Sequence, residues 1–356
     1  MKIKKVTISR ENLELTRPYT IAYDTFTHAE NLFVLLETDT GLVGIGAGSP
    51  AEDVTNESID ACEKVLKEQA CLLFEGLDLV DAVSRLKTME TKMAATPAAM
   101  AAMDIALYDL MGKALDRPLV EILGRVHTAM PTSITIGIKS LDEMLAEADE
   151  YTGRGFRILK IKIGMDVDQD IERVCRLRAH ISKDVRIRVD ANQGYDMDQY
   201  KKFLAGTSEA NLEFVEQPLH VDQTASMAGL SEDERNFSMA DECLHNPADA
   251  YALLHPPRPF GSFNIKLMKC GGIALGLEIA QIARRCGIGV MWGCMDESRV
   301  SIAAALHAAF ASPATRYLDL DGSLDLARDM VDEGFVIENG VMRLTDRSGI
   351  GVRILH

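Results

Sequence analysis

Charged residues recur in this chain where buried strands should end. Lys160 and Lys162 stand inside the run "RILKIKIG", Asp190 closes "RIRVD" and Glu216 closes "LEFVE". Asp241 follows "NFSMA", Lys266 lies in "SFNIKLM", and Asp319 and Asp321 alternate in "RYLDLD". From Lys162 through Asp190, Glu216, Asp241 and Lys266 to Asp319 the intervals are 28, 26, 25, 25 and 53 residues. A strand, a helix and their loops occupy roughly 25–30 residues, so the last interval spans two units and all members fall at one level. Asp190, Glu216 and Asp241 would then converge from three successive strands. Three carboxylates brought together repel, which calls for raised pKa values or a bound cation. With no Cys or His among them, the donor set is all oxygen and favours Mg²⁺, or Mn²⁺, over zinc.

Lys162 and Lys266 would flank that cluster from opposite sides. Such a pair suits proton removal from one face of a carbon and delivery to the other. Desolvation and nearby positive charge lower a lysine's pKa, and Lys160 is placed to press on Lys162 in this way. Asn192 of "DAN" either supports the carboxylate cluster or is a turn residue.

Strand alternation puts Lys160 and Lys162 on one face and Leu159, Ile161 and Ile163 on the other. The strand-like runs are 132–138, 157–163, 186–191, 212–217, 236–241, 262–268, 289–294 and 316–321, separated by helix-sized stretches. This is the pattern of a parallel α/β domain, and a (β/α)₈-type barrel is its natural closure, with active-site groups at the C-terminal mouth. Before it, residues 1–50 read as a β-meander with a turn at Asp39–Thr40–Gly41, and 56–123 as helices ending in the Ala-rich "PAAMAAMDIALYDLMGKALDRPLVEILG". "GIGAGS" at Gly44–Ser49 lacks the G-x-G-x-x-G spacing and is followed by Pro50, so it reads as glycines at a strand end rather than a dinucleotide fingerprint. The tail "GFVIENGVMRLTDRSGIGVRIL" is β-like and is expected to join the N-terminal sheet. The expected organisation is 1–125, 126–322 and 323–356: an N-terminal α+β domain, the barrel, and a segment returning to the first domain.

The 356 residues carry a net charge of −16 with 47% hydrophobic and 26% charged residues. That balance gives an ordinary globular composition without the basic patch nucleic acid or anionic membranes require. No run approaches the roughly 20 apolar residues of a membrane span. The opening "MKIKKVTISRENLEL" alternates like a strand and lacks a signal-peptide core. Seven scattered cysteines form no C-x-x-C pair and read as reduced thiols, so a cytoplasmic location is expected.

The chain resembles the enolase superfamily, specifically its muconate-cycloisomerase-like subgroup. The resemblance rests on "KIK" at Lys160–Lys162, "DAN" at Asp190–Asn192, "EQP" at Glu216–Pro218, "ADE" at Ala240–Glu242 and "KLMKCGG" at Lys266–Gly272. It implies a modified (β/α)₇β-type TIM barrel with an α+β capping domain formed by the N-terminal region and the C-terminal tail. It further implies Mg²⁺ on Asp190, Glu216 and Asp241, with Lys162 and Lys266 as catalytic acid/bases supported by Lys160. Loops around Ile21–Thr27 and Ala51–Asn56 would close over the substrate. Within the subgroup, Asp319–Leu320–Asp321 is similar to the D-x-D of dipeptide epimerases. Two aspartates on one strand face can clamp a free ammonium group, which muconate and succinylbenzoate do not offer.

One departure concerns substrate choice. Members acting on Ala-Glu are similar around "IAYDTF" but have arginine where this chain has Asp24. An aspartate there inverts the charge of the side-chain subsite, and Asp296 in "GCMDES" adds a second negative group. The expected substrate is a small dipeptide with Lys or Arg, foremost at the C-terminal, epimerised position, unless Asp24 swings to solvent on a mobile lid. Alternatives within the subgroup are an L-Ala-D/L-Glu epimerase, an N-acylamino-acid racemase, a cycloisomerase and an o-succinylbenzoate synthase. Mandelate-racemase-like chemistry would call for histidine where Lys266 stands, and a non-catalytic metal- or peptide-binding barrel is the reading outside enzymes. A homo-oligomer is expected.

Overall fold

The computed structural model describes residues 1–22, 24–90 and 92–355. Eight parallel strands make the central sheet, each paired to the next in chain order. They are Ile134–Ile136, Ile158–Lys162, Arg186–Asp190, Leu212–Glu216, Ser238–Ala240, Ser262–Ile265, Gly289–Gly293 and Thr315–Asp319. A parallel bridge between Thr132 and Leu318, reinforced by Ser133 N–H donating to Leu318 O at 3.1 Å, brings the first strand against the eighth and closes the ring. Helical segments follow the first seven strands and the eighth runs into the tail. This is the expected (β/α)₇β arrangement. Inside the barrel, Phe214, Met239, Met291 and Tyr317 form the floor beneath the mouth.

The N-terminal sheet is the expected antiparallel meander, Ile3–Thr20, Thr25–Thr38 and Val43–Gly48. Its glycines have a packing reason. A Cβ on Gly44, Gly46 or Gly48 would lie 2.5, 1.9 or 2.4 Å from the carbonyl oxygen of Ala106, Ala102 or Ala98. The last strand therefore lies directly on the helix Pro97–Ala114, whose alanines complete the contact. The same helix meets the barrel: Asp104 Oδ2 accepts from Ile273 N–H at 2.6 Å, and Gly272, at φ +117, leaves no room for a Cβ beside Asp104. Buried Asp109 accepts from Ile45 N–H and Ile350 N–H, both at 2.9 Å, joining sheet, helix and tail.

The tail does not extend the N-terminal sheet. Val331–Glu333 pairs with Val352–Ile354, and Phe335–Glu338 pairs with Val341–Leu344, which also takes up Met130–Pro131. The cause is local: Asn339 and Gly340, at φ 52 and 73, make the two-residue turn that folds a chain back on itself as a hairpin. Among the described residues the tail bridges the first strand at Leu15–Leu326, with Thr16 N–H donating to Asp325 O at 2.7 Å and Ala327 N–H to Glu14 O at 2.8 Å. Cys62, Cys175, Cys243, Cys270, Cys286 and Cys294 are free thiols. No helix among the described residues is long and apolar enough to cross a membrane.

Candidate active site

The periodic charges meet at the C-terminal ends of the barrel strands. Asp190 and Glu216 are the last residues of the third and fourth strands, and Asp241 directly follows the fifth. All three are fully buried, and one oxygen of each lies within 4.8 Å of the others. Burial and the Asp190 charge push the Glu216 carboxyl well above its ordinary pKa. For Asp190 and Asp241 burial acts in the same direction, but lysines outweigh it. Lys160 and Lys162 hold Asp190 down at about 2, and Lys266 and Lys269 hold Asp241 well below the carboxylate range. Among the described residues the buried oxygens Glu216 Oε2 and Asp241 Oδ2 receive no hydrogen bond, although Lys160 and Lys266 Nζ stand 2.8 and 2.7 Å away. Close ammonium groups without hydrogen-bond alignment leave those lone pairs directed elsewhere. A three-carboxylate, all-oxygen donor set with unengaged lone pairs fits a hard divalent cation such as Mg²⁺.

Lys162 ends the second strand and donates to Asp190 Oδ2 at 2.7 Å and Asn192 Oδ1 at 2.9 Å. The chain turns away at Gly164, at φ +113, where a Cβ would stand 2.4 Å from Ala191 O, so glycine is required there. Lys266 follows the sixth strand and heads the short helix Leu267–Cys270; it is not inside a strand. Its ammonium is 2.7 Å from Asp241 Oδ2. Second and sixth positions are opposite in a ring of eight, so the two lysines face each other across the carboxylates. Burial alone would lower the Lys266 pKa, but Asp241 and Glu216 raise it well above the lysine range.

Lys160 departs from its expected part. Its ammonium is ion-paired to Asp319, Glu216 and Asp190 at 2.7, 2.8 and 3.1 Å. Burial would lower its pKa, but Asp190, Asp319 and Glu216 raise it well above the ordinary value. It therefore serves as the counter-ion of a carboxylate cage more than as a bare charge repelling Lys162.

The D-x-D pair is divided as well. Asp319 accepts from Lys160 and, at 2.6 Å, from Ser133 Oγ. Asp321 lies two residues beyond the strand end and accepts from Thr135 N–H at 2.7 Å. Burial, then the charges of Asp319 and Asp325, push its carboxyl up to about 7. A cavity of about 380 Å³ is lined by Lys160, Lys162, Lys266, Asp319 and Asp321 and extends to Asp296, Asp325 and the cap residues Ile21, Asp24, Phe26, Ala51, Glu52 and Val54. Asp24 is exposed at this mouth and accepts from Thr25 N–H at 2.6 Å; Tyr23 of the same motif lies outside the described residues. Asp296 is half-buried, and burial with the Asp325 charge raises it to about 7.

Asn192 proves to be both a turn residue, at φ 40, and a support. Besides Lys162, it bonds Glu242 Oε1 through Nδ2 at 3.1 Å. Other supporting groups had no distinct signal in the sequence. Asn264 Nδ2 donates to Glu216 Oε1 at 2.7 Å, and fully buried Lys269 donates to Asp241 Oδ1 and, at 2.5 Å, to its backbone oxygen. Lys269 stands in "KLMKCGG" three residues after Lys266, which is a helical spacing and the one available clue. Asp325 lies in a loop and carried no clue at all.

Residues 143–356 match the model described as "Enolase C-terminal domain-like", and residues 3–124 match "Mandelate racemase / muconate lactonizing enzyme, N-terminal domain". The chain belongs to the enolase superfamily. Among its relatives in this superfamily, the L-Lys-D/L-Arg epimerase of Desulforapulum autotrophicum is 58% identical over 99% of both chains. The dipeptide epimerase of Methylococcus capsulatus, solved with Mg and the dipeptide L-Arg-D-Lys, is 48% identical over 99% of both chains with a TM-score of 0.96. The L-Ala-D/L-Glu epimerase of Bacillus subtilis, in a substrate-liganded structure, is 31% identical over 99% of both chains with a TM-score of 0.94.

Proposed function

We propose that this enolase-superfamily chain is a Mg²⁺-dependent dipeptide epimerase that inverts the α-carbon of the C-terminal residue and prefers dipeptides carrying Lys or Arg. The observation that carries the reading is Lys162 and Lys266 facing each other over the Asp190–Glu216–Asp241 cluster. The names of the relatives, and the likeness over nearly the whole chain, support the same activity. In this reading residues 1–125 and 323–356 serve as the cap and 126–322 as the catalytic barrel.

Asp190, Glu216 and Asp241 would hold the Mg²⁺, whose charge stabilises the negative charge that builds on the dipeptide carboxylate when the α-proton leaves. Lys162 takes the α-proton of the L isomer and Lys266 supplies a proton to the opposite face; the roles exchange in reverse. Asp321 receives the free α-ammonium group. Lys160, held by Asp319, adds positive charge beside the substrate carboxylate. Asp24 and Asp296 make the cavity negative where the substrate's side chains would lie, which favours Lys and Arg over Glu. An N-acylated amino acid bearing a second carboxylate would meet Asp296, Asp321 and Asp325, and a muconate would bring no cation to them.

The decisive measurement is deuterium incorporation in D₂O across a dipeptide set. One α-carbon of cationic dipeptides should exchange and epimerise with Mg²⁺, and chelator should stop it. Exchange without metal, or Ala-Glu used as well as Ala-Lys, would overturn the proposal.

A further inference from the structure

The acidic lining of the cavity is more extensive than the α-ammonium and one side chain require. Asp325 lines it beside Asp296 and Asp321, is half-buried, and has no hydrogen-bond or ion-pair partner for its carboxylate among the described residues. The cations around it are engaged elsewhere. Arg17 bonds Glu147 and Glu150 at 3.2 and 2.8 Å, Lys139 is paired with Glu147, and Arg154 lies 3.5 Å from Glu150. Burial and Glu147 raise the Asp325 pKa against the influence of Arg17, Arg154 and Lys139. Its backbone is fixed where the tail crosses the first cap strand, by Thr16 N–H donating to Asp325 O at 2.7 Å.

Resting on the dipeptide reading above, we propose that Asp325, with Asp296 beside it, selects a cationic side chain at the N-terminal position of the dipeptide. The direction of the substrate follows from the groups that must hold it. The epimerised α-carbon lies between Lys162 and Lys266, and the free ammonium lies at Asp321. The N-terminal side chain branches from the carbon that bears this ammonium, so it starts close to Asp321. Asp325 is four residues further on and shares the same cavity. Asp24 and Glu52, on the cap side of the mouth, are left to the side chain of the epimerised residue. A half-buried carboxylate without a partner gains a charge-assisted hydrogen bond from an ammonium or guanidinium group and gains nothing from a methyl group.

The test compares kcat/KM for Lys-Lys and Ala-Lys in the Mg²⁺-loaded wild type, in D325N and in D24N. The wild type should favour Lys-Lys. D325N should lower the Lys-Lys to Ala-Lys ratio about tenfold, mainly through KM, and D24N should lower turnover of both together. D325S carries the same expectation should D325N fold poorly. An unmoved ratio in both Asp325 variants, or equal loss on both substrates, overturns the assignment. Wild-type enzyme that exchanges no dipeptide proton refutes the functional reading itself, whereas equal wild-type use of Lys-Lys and Ala-Lys refutes this inference alone.

Discussion

Nζ of Lys160 lies 2.7 Å from Oδ2 of Asp319, so the inner lysine of the second barrel strand is held by the first aspartate of the D-x-D pair. That aspartate is thus committed to an internal cation, while Asp321 two residues on faces the cavity with a raised pKa and has no lysine of its own. The two carboxylates should answer differently to neutralisation. D321N should raise KM for dipeptides by about 10–100-fold with a smaller change in kcat, because it removes ground-state binding of the ammonium. D319N should act chiefly on kcat by releasing Lys160. Steady-state kinetics of the two variants checks this; identical changes would refute the division.

The opposed lysines predict one-sided behaviour when either is lost. K162A and K266A should each lower epimerisation by at least about 10³-fold. Each should still exchange the α-proton of the one isomer that faces the remaining lysine. Proton NMR in D₂O of L,L and L,D substrates separates the two cases, and retained epimerisation in either variant would falsify the two-base scheme.

Support of the carboxylates predicts a metal-affinity effect away from the reacting atoms. Asn264 orients Glu216 at 2.7 Å, and Lys269 holds Asp241. N264A should weaken Mg²⁺ binding by roughly 10–100-fold, as loss of a group behind a metal ligand does. Calorimetric titration of Mg²⁺ into the protein without substrate reads this directly.

Asp104 predicts a pH-dependent stability. Burial raises its carboxyl from 3.8 to about 7, so the folded chain keeps a proton that the unfolded chain has lost. The stability gained from that proton is complete below the unfolded value and is lost as pH rises through about 7. D104N retains an acceptor for Ile273 N–H and has no such proton to release. Its stability should therefore fall less between about pH 4 and 7, by up to about 1.4 kcal/mol per pH unit. Denaturant midpoints across that range decide it, and parallel curves would contradict the assignment.

The barrel and its catalytic level were legible because period-two alternation and a near-constant unit length are both written along the chain. "RILKIKIG" and "RIRVDAN" place Lys162 and Asp190 to the residue. Lys266 was legible although its strand ends at Ile265, because position along the barrel matters more than strand membership. Pairing of lysines with carboxylates was not legible. Lys160 adjoins Lys162 in the alternation, but three carboxylates from three other strands decide its charge environment. The tail's pairing was not legible, because β-like sequence does not name a partner; only its Asn339–Gly340 turn marks a hairpin. Asp325 depends on where a loop crosses a strand from the far end of the chain, which no local pattern encodes.

The three glycines of the last cap strand leave no cushion of side chains between that strand and the helix Pro97–Ala114. The same helix presses on Gly271 and Gly272 of the barrel, where Met100 and Asp104 fill the space. The sheet is thus clamped to the helix backbone to backbone, and the helix to the barrel through the side chains of Met100 and Asp104. From the rim of this platform Ile21, Asp24, Phe26, Ala51, Glu52 and Val54 reach over the cavity. Changes at those residues would alter the wall of the cavity without disturbing the distance between the two lysines.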